Sequence, residues 1–167
     1  MGVSGCGKTT LANALAKHYQ FKFLDADDFH TEEAKAMMAA NEPITKEMRQ
    51  QWIALMSEQL TICKQQKVNI VLAYSGLIAS QRIQLSNLGF NTASLLLETD
   101  RYIIEQRLLK RTNHFAQSGL LTSQIETFEP MTNREESTIL LNINQPITAL
   151  VNDAVKALSI KKEHQGV

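Results

Sequence analysis

An α/β fold, with a mainly parallel sheet flanked by helices on both faces, is predicted by three features of this sequence. Residues 68–74 (Val-Asn-Ile-Val-Leu-Ala-Tyr) and 94–98 (Ser-Leu-Leu-Leu-Glu) are short, nearly continuous apolar runs, as expected of strands buried on both sides. Segments with apolar residues at a 3–4 spacing alternate with them, the order that builds parallel sheets through helical crossovers. The stretch Gly2-Val3-Ser4-Gly5-Cys6-Gly7-Lys8-Thr9 completes the pattern G-x-x-x-x-G-K-[ST], a phosphate-binding loop between a strand and a helix.

The loop comes first in the chain and explains itself physically. Its glycines let the backbone curl so that successive N–H groups face one concavity, which holds phosphate oxygens. Lys8 reaches the β- and γ-phosphates, and the Thr9 hydroxyl can ligate Mg²⁺. Thr10 to His18 reads as a helix whose positive end faces the same phosphates. Gly2, Ser4, Gly5, Cys6, Gly7, Lys8, Thr9 and Thr10 are therefore the expected nucleotide contacts, with ATP and Mg²⁺ as cofactors. In proteins with this loop a buried strand runs into the first glycine, whereas here only Met1 precedes it. The expectation is a first strand truncated or missing, with residues 1–3 capping a central sheet position that is otherwise short or empty.

The later elements follow in order. Phe21 to Asp25 is an apolar run ending in acids, a buried strand with carboxylates at its C-terminal edge. Thr31 to Ala40 is helical, with Thr31 as N-cap and two acids in the first turn. Pro43 ends it, and a longer helix from Thr45 to about Gln65 places Trp52, Leu55, Met56, Leu60 and Cys63 on one face. After the strands at 68–74 and 94–98, Asp100 caps a helix through Arg111. Thr112 to about Ser118 reads as a loop, Leu120 to Phe128 as a short helix, 138–143 as the last strand, and Pro146 to Ser159 as the closing helix. Ligands sit at the carboxyl ends of such strands, where 2–9, 25–28, 74–76 and 142–145 all emerge.

Bulk properties narrow the function. At 167 residues without linker, repeat or low-complexity tract, the chain 1–167 is expected to be one domain with a substantial core. Lys plus Arg and Asp plus Glu balance at 17 each, so neither nucleic acid nor an anionic membrane is the expected partner. Cys6 and Cys63 are the only cysteines; they make neither a disulfide framework nor a zinc site and suit a reducing cytoplasm. No apolar run approaches the ~18 residues of a membrane span.

Two constellations carry chemistry. Strand 68–74 ends in Ser75-Gly76, with no acid where a second metal-side carboxylate is usual, so Asp25-Ala-Asp-Asp28 is the candidate instead. If the chain stays extended there, Asp25 and Asp27 point the same way. One could hold a Mg²⁺-bound water while the other accepts the acceptor hydroxyl's proton. Arg107 and Arg111, four apart, share a helix face and could clamp the γ-phosphate or stack on the base, with a lid at about 112–119 closing over them. His114 lies in that lid, and Arg49 and Arg82 are single arginines elsewhere.

The stretches Gly2–Thr9, 23–30 (Phe-Leu-Asp-Ala-Asp-Asp-Phe-His), Glu42-Pro-Ile with Arg49 and Trp52, Arg107–Phe115 and 121–130 together resemble the gluconate kinases (gluconokinases). That family has the nucleoside- and shikimate-kinase type of P-loop fold with a mobile lid. The resemblance implies ATP- and Mg²⁺-dependent phosphorylation of the 6-hydroxyl of D-gluconate, a small hydroxylated acid, and homodimers are common among such proteins. It implies Asp25 and Thr9 on the metal side and Asp27 as base and substrate contact. Lys8 and Arg111 would be catalytic, Arg107 and Asn144 nucleotide contacts, and His30, Arg49, Arg82 and His114 substrate contacts. Departures cluster on the acceptor side. Thr31, Ala34, Met37 and Met38 replace family residues after the histidine, and Ile78 and Gln81 stand where a lysine and a tyrosine are usual. A same-fold kinase for another sugar acid, polyol or shikimate-like acceptor is the alternative, and a non-catalytic nucleotide-binding protein is a third reading.

Overall fold

The computed structural model describes residues 1–40, 42–98, 100–109, 114–132, 135 and 138–164, with the backbone alone for 109, 114–120 and 161–164. Helix α1 (Lys8–Tyr19) follows the phosphate loop, and Gly7 is its N-cap at φ 98°, a left-handed conformation that only glycine adopts without strain. Strand β1 (Lys22–Asp25) runs into a 3₁₀ turn at Ala26–Phe29, followed by α2 (Glu32–Ala39) and α3 (Lys46–Gln65). Thr31 caps α2 as expected, accepting from the Ala34 N–H, and Thr45, expected as the first helical residue, instead caps α3 by accepting from the Met48 N–H, each at 3.2 Å. Then come β2 (Ile70–Ala73), α4 (Ala79–Ser86), β3 (Leu95–Glu98), α5 (Arg101–Leu109), α6 (His114–Thr127), β4 (Ile139–Asn142) and α7 (Ile147–His164).

Two elements depart from the sequence expectation. Helix α4 was not foreseen, because its cap comes from far along the chain: the Glu129 carboxylate accepts the Ala79 N–H at 2.6 Å. Helix α6 begins at His114, so residues 114–118, expected as loop, are helical. Phe115-Ala-Gln-Ser contains no breaker, and Gly119 inside a helix costs only about 1 kcal/mol relative to Ala. The remainder of the expected lid, 112–113, lies outside the described residues, as does Arg111.

Strands β1 and β2 pair in parallel with Lys22 opposite Ile70, and β3 and β4 pair in parallel with Leu95 opposite Ile139. Among the described residues these are two separate ladders, not one continuous sheet. Met1 and Gly2 join them, as expected. The Met1 nitrogen donates to the Leu95 carbonyl at 2.6 Å, the Leu97 N–H to the Met1 carbonyl at 2.9 Å, and the Gly2 N–H to the Ser75 carbonyl at 3.0 Å. One apolar core lies beneath α1, α5, α6 and α7 and includes Cys6, Leu11, Leu97, Leu108, Leu121 and Leu141. A second lies beneath α3 and includes Trp52, Ile53, Met56, Leu60 and Tyr74. All strand carboxyl ends therefore open on one rim beside the loop.

Arg82, expected to touch substrate, is committed to the fold instead. Its side chain is 3% exposed and ion-paired with Glu135. Its Nη1 donates to the carbonyls of Gly76 (2.9 Å), Leu77 (3.3 Å) and Glu129 (3.0 Å), and Nη2 to Pro130 and the Glu135 carboxylate, both at 3.0 Å. With Nε on the second Glu135 oxygen, every N–H of the guanidinium is used. Hydrogen bonds from Arg82 and Thr132 hold the Glu135 carboxyl down at about 2. The stability this pair contributes is thus present above the ordinary glutamate range and is lost as pH falls towards about 2. Arg82→Ala is expected to cost about 3–5 kcal/mol, because it strands a carboxylate and several carbonyls. Urea denaturation checks this, and a loss below ~1 kcal/mol, the scale of a surface pair, would return Arg82 to the substrate side.

Candidate active site

The phosphate loop is shaped by packing from outside as well as by its glycines. Gly5 has φ 82°, and a Cβ there would lie 2.8 Å from Leu108 Cδ2 and 3.1 Å from Ile104 Cγ2, so α5 presses directly on the loop. Cys6 is buried at 1% exposure and turns its thiol into the core. Lys8 folds back over the loop, its Nζ donating to the Val3 carbonyl at 3.0 Å. Thr10 is exposed on the first turn of α1.

Thr9 Oγ1 donates to Asp25 Oδ2 at 2.9 Å, joining the loop to the end of β1. The other Asp25 oxygen accepts the Asp27 N–H at 3.2 Å and caps the 3₁₀ turn. Asp25 and Asp27 are thus brought together by a turn, and the extended alternation expected for them stops at Asp25. Asp27 meets solvent on one side, but its carboxyl sits among crowded groups. That desolvation first, and repulsion from Asp25 second, push its pKa up, while Lys8 and His30 pull it down.

Behind the acids stands an aromatic wall. Trp52 Nε1 donates to the Ala26 carbonyl at 2.6 Å and so fixes the turn carrying Asp27 and Asp28. The His30 ring stacks on Trp52 with centroids 4.5 Å apart and planes 9° from parallel, and Tyr74 tilts against the other ring at 5.6 Å. His30 is 7% exposed, its Nδ1 has no partner among the described residues, and burial lowers its pKa against the pull of Asp27. Burial pushes the Tyr74 phenol up, and its hydroxyl meets Gln81 Oε1 at 3.4 Å. Trp52 and Tyr74 are site residues that the sequence showed only as core; the one tryptophan of the chain, in helical register three residues after Arg49, was the available signal.

The remaining predicted residues are spread around this centre. Arg49 lies in the first turn of α3, half-buried. Arg107 Nη2 donates to the Ile143 carbonyl at 2.7 Å, which ties α5 to the exit of β4. Asn144 is exposed in the turn that follows, its N–H donating to Asn142 Oδ1 at 2.9 Å. His114 starts α6, with its side chain outside the described set. Gln124, part of the 121–130 stretch that carries the family resemblance but given no role there, places its Oε1 2.6 Å from the Ser4 nitrogen of the loop. A depression of about 370 Å³ beside His30 is lined by Asp28, Phe29, Thr31, Glu58 and Gln59; its acids do not suit an anion.

The donor set fits Mg²⁺. A hydroxyl already touching a carboxylate offers hard oxygens, and Mg²⁺ characteristically takes one or two protein carboxylates with phosphates and waters completing its shell. Among the described residues no cluster of three or more His, Cys, Asp or Glu forms an all-protein metal cage, which this mode does not need.

A family model for shikimate kinase matches residues 4–159. The chain is 32% identical to a probable gluconokinase of Xenopus tropicalis over 92% of its length and 88% of the relative's. It is 30% identical to the thermoresistant gluconokinase of Escherichia coli (strain K12), covering 95% and 90% of the two chains. The crystal structure of a gluconokinase from Sinorhizobium meliloti 1021 superposes with a TM-score of 0.86 at 29% identity, covering 99% of this chain and 92% of that one. A nucleotide loop joined through Thr9 to a strand-end carboxylate pair, on a fold shared over nearly the whole length, places this chain in the shikimate-kinase family of small-molecule kinases, among the gluconokinases.

Proposed function

We propose that this protein transfers a phosphoryl group from ATP to the 6-hydroxyl of D-gluconate, as one domain working in the cytoplasm. The observation that carries the reading is the Thr9–Asp25–Asp27 chain, which sets a metal-side carboxylate and a base-side carboxylate on either side of one turn next to Lys8. Mg-ATP supplies the phosphoryl group and a cation that draws charge from it. Lys8 leaves Val3 to meet the β- and γ-phosphates, and the loop amides of Gly5, Gly7, Lys8 and Thr9 hold their oxygens. Asp27 accepts the proton of the acceptor hydroxyl, helped by a pKa raised towards working pH. His30 supports a polyol here through its buried, unpaired Nδ1, an unmade hydrogen bond of the kind a bound hydroxyl completes. Arg49 meets the substrate carboxylate, His114 is a further substrate contact, Arg107 and Asn144 serve the nucleotide, and Arg111 stabilises the migrating phosphoryl group. The similarity to proteins named gluconokinases supports gluconate as acceptor.

A second reading, a different hydroxylated acceptor, is favoured by one observation. Ile78 brings no charge, Gln81 is engaged with Tyr74, and Arg82 is consumed by the fold. ADP release with Mg-ATP and a panel of D-gluconate, other aldonates, shikimate, polyols and nucleoside monophosphates separates the readings. Saturable turnover with gluconate is expected; turnover only with another member overturns the acceptor, and none with any member overturns the kinase assignment.

Residue roles give two further expectations. Asp27→Asn should cut kcat by ~10² or more, the scale of a lost general base, while nucleotide affinity holds. Because the folded carboxyl is raised in pKa, its ionised form opposes folding at neutral pH, so Asp27→Asn should also raise the melting temperature at pH 7 and lose that advantage near pH 3. In the wild type the acid limb of kcat should lie above the ordinary aspartate range. An unchanged kcat in the variant removes Asp27 from the mechanism. Lys8→Ala, which deletes the charge at the phosphates, should lower kcat by roughly 10²-fold or more with little change in stability, as read by steady-state kinetics beside a thermal melt.

A further inference from the structure

The peptide unit joining Val3 and Ser4 is held at both ends by side chains from elsewhere. Its carbonyl accepts the Lys8 Nζ at 3.0 Å, and its N–H donates to Gln124 Oε1 at 2.6 Å. A peptide unit is planar, so an acceptor that pins its N–H also sets the direction of its carbonyl. Gln124 at one end of the unit and the Cys6 N–H, which also donates to the Val3 carbonyl at 3.4 Å, at the other thus bear on where Lys8 is parked.

The helix that carries Gln124 is a fixed support. Leu121, one turn earlier on the same face of α6, is wholly buried in the core that also contains Cys6 of the loop and Leu108 of α5. Beyond the helix end, the Glu129 N–H donates to the Leu77 carbonyl at 2.8 Å, its carboxylate caps α4 at Ala79, and its carbonyl accepts from Arg82. Neither anchor involves the Gln124 amide. The same helix thus connects the 76–82 segment on the acceptor side with the phosphate loop on the nucleotide side, and Gln124 is its contact with the loop.

We propose that Gln124 is a positioning residue for phosphoryl transfer: by holding the Val3–Ser4 peptide plane from α6, it keeps the phosphate loop and Lys8 in the orientation that receives ATP. The catalytic part of this rests on the kinase reading above; the part concerning the peptide plane does not. A side chain that only packed against the loop would be replaceable by any of similar shape. One that acts as an acceptor would not.

Two variants test it. Gln124→Met keeps length, apolar stem and helix propensity but has no oxygen. Gln124→Glu keeps an oxygen at the same reach and adds a negative charge beside the phosphate cradle. In ¹⁵N-labelled protein without nucleotide, the Ser4 amide should shift upfield and exchange faster in Gln124→Met, and return close to the wild-type position in Gln124→Glu. Binding of a fluorescent ATP analogue should weaken about fivefold in Gln124→Met, the scale of one lost hydrogen bond. It should weaken more in Gln124→Glu, through repulsion of the polyphosphate. In kinetics kcat/KM for ATP should fall with the KM for gluconate unchanged, and both variants should melt close to the wild type. An unmoved Ser4 amide in Gln124→Met overturns the proposal, and so does tighter nucleotide binding, which would make Gln124 a competitor for the phosphates. If the wild type turns over no acceptor while the amide behaves as stated, the kinase reading fails and the positioning of the loop stands.

Discussion

Everything chemical proposed for this protein depends on keeping residues 2–9 curled, a conformation that the loop's own backbone does not favour by itself. Three glycines remove the Cβ atoms that would block it, yet glycine also raises the entropy lost on ordering the loop. The compensation is packing from several directions. Helix α5 presses Leu108 and Ile104 against Gly5, Cys6 is buried beneath, the Gly2 N–H reaches Ser75, and Gln124 holds Ser4. Each partner belongs to a different element, so the cradle is an outcome of the whole α/β arrangement. Asp25 is attached to it only through Thr9.

The carboxylate pair shows the opposite balance. Asp25 and Asp27 repel each other, and Asp27 loses hydration where it lies. The turn persists because its amides, the Asp25 cap and the Trp52 indole on the Ala26 carbonyl hold it. The raised pKa is the same fact seen from the proton's side: a group that resists ionisation is a better base when ionised. Stability is given up at the position where reactivity is needed, and the stacked rings behind it supply apolar contact that offsets the loss.

How much of this was readable in the sequence divides by range of interaction. The loop, the cap at Thr31, and the strands at 70–73 and 95–98 rest on residues within a few positions of one another, and they were legible. So was the candidate pair Asp25 and Asp27, although the turn that joins them was mistaken for extended chain. What failed depends on distant partners. Helix α4 is capped by Glu129 from fifty positions away, and Arg82, expected as a substrate contact, is instead taken up by five carbonyl and carboxylate groups from three segments. Gln124 belongs to a stretch that carries the family resemblance, but it has no visible role until Ser4 is brought next to it. Local pattern cannot express such pairings, because the sheet that brings the segments together lies between them in sequence.

On the acceptor side the accounting of charge is narrow. A gluconate-like substrate brings a carboxylate whose desolvation must be offset by a cation or by several hydrogen bonds. Residue 78 is isoleucine, Lys35 is paired with Glu32, and Arg82 has no donor to spare. Arg49, half-buried and in no ion pair among the described residues, stands in the first turn of α3, on the same face as Trp52 three residues later. Trp52 in turn stacks on His30 and holds the Asp27 turn. One helix face therefore carries the cation that would select an acid and the ring that shapes the base. On the function proposed above, a shift of the α3 N-terminus that re-aimed Arg49 would move Asp27 as well, coupling acceptor choice to proton transfer.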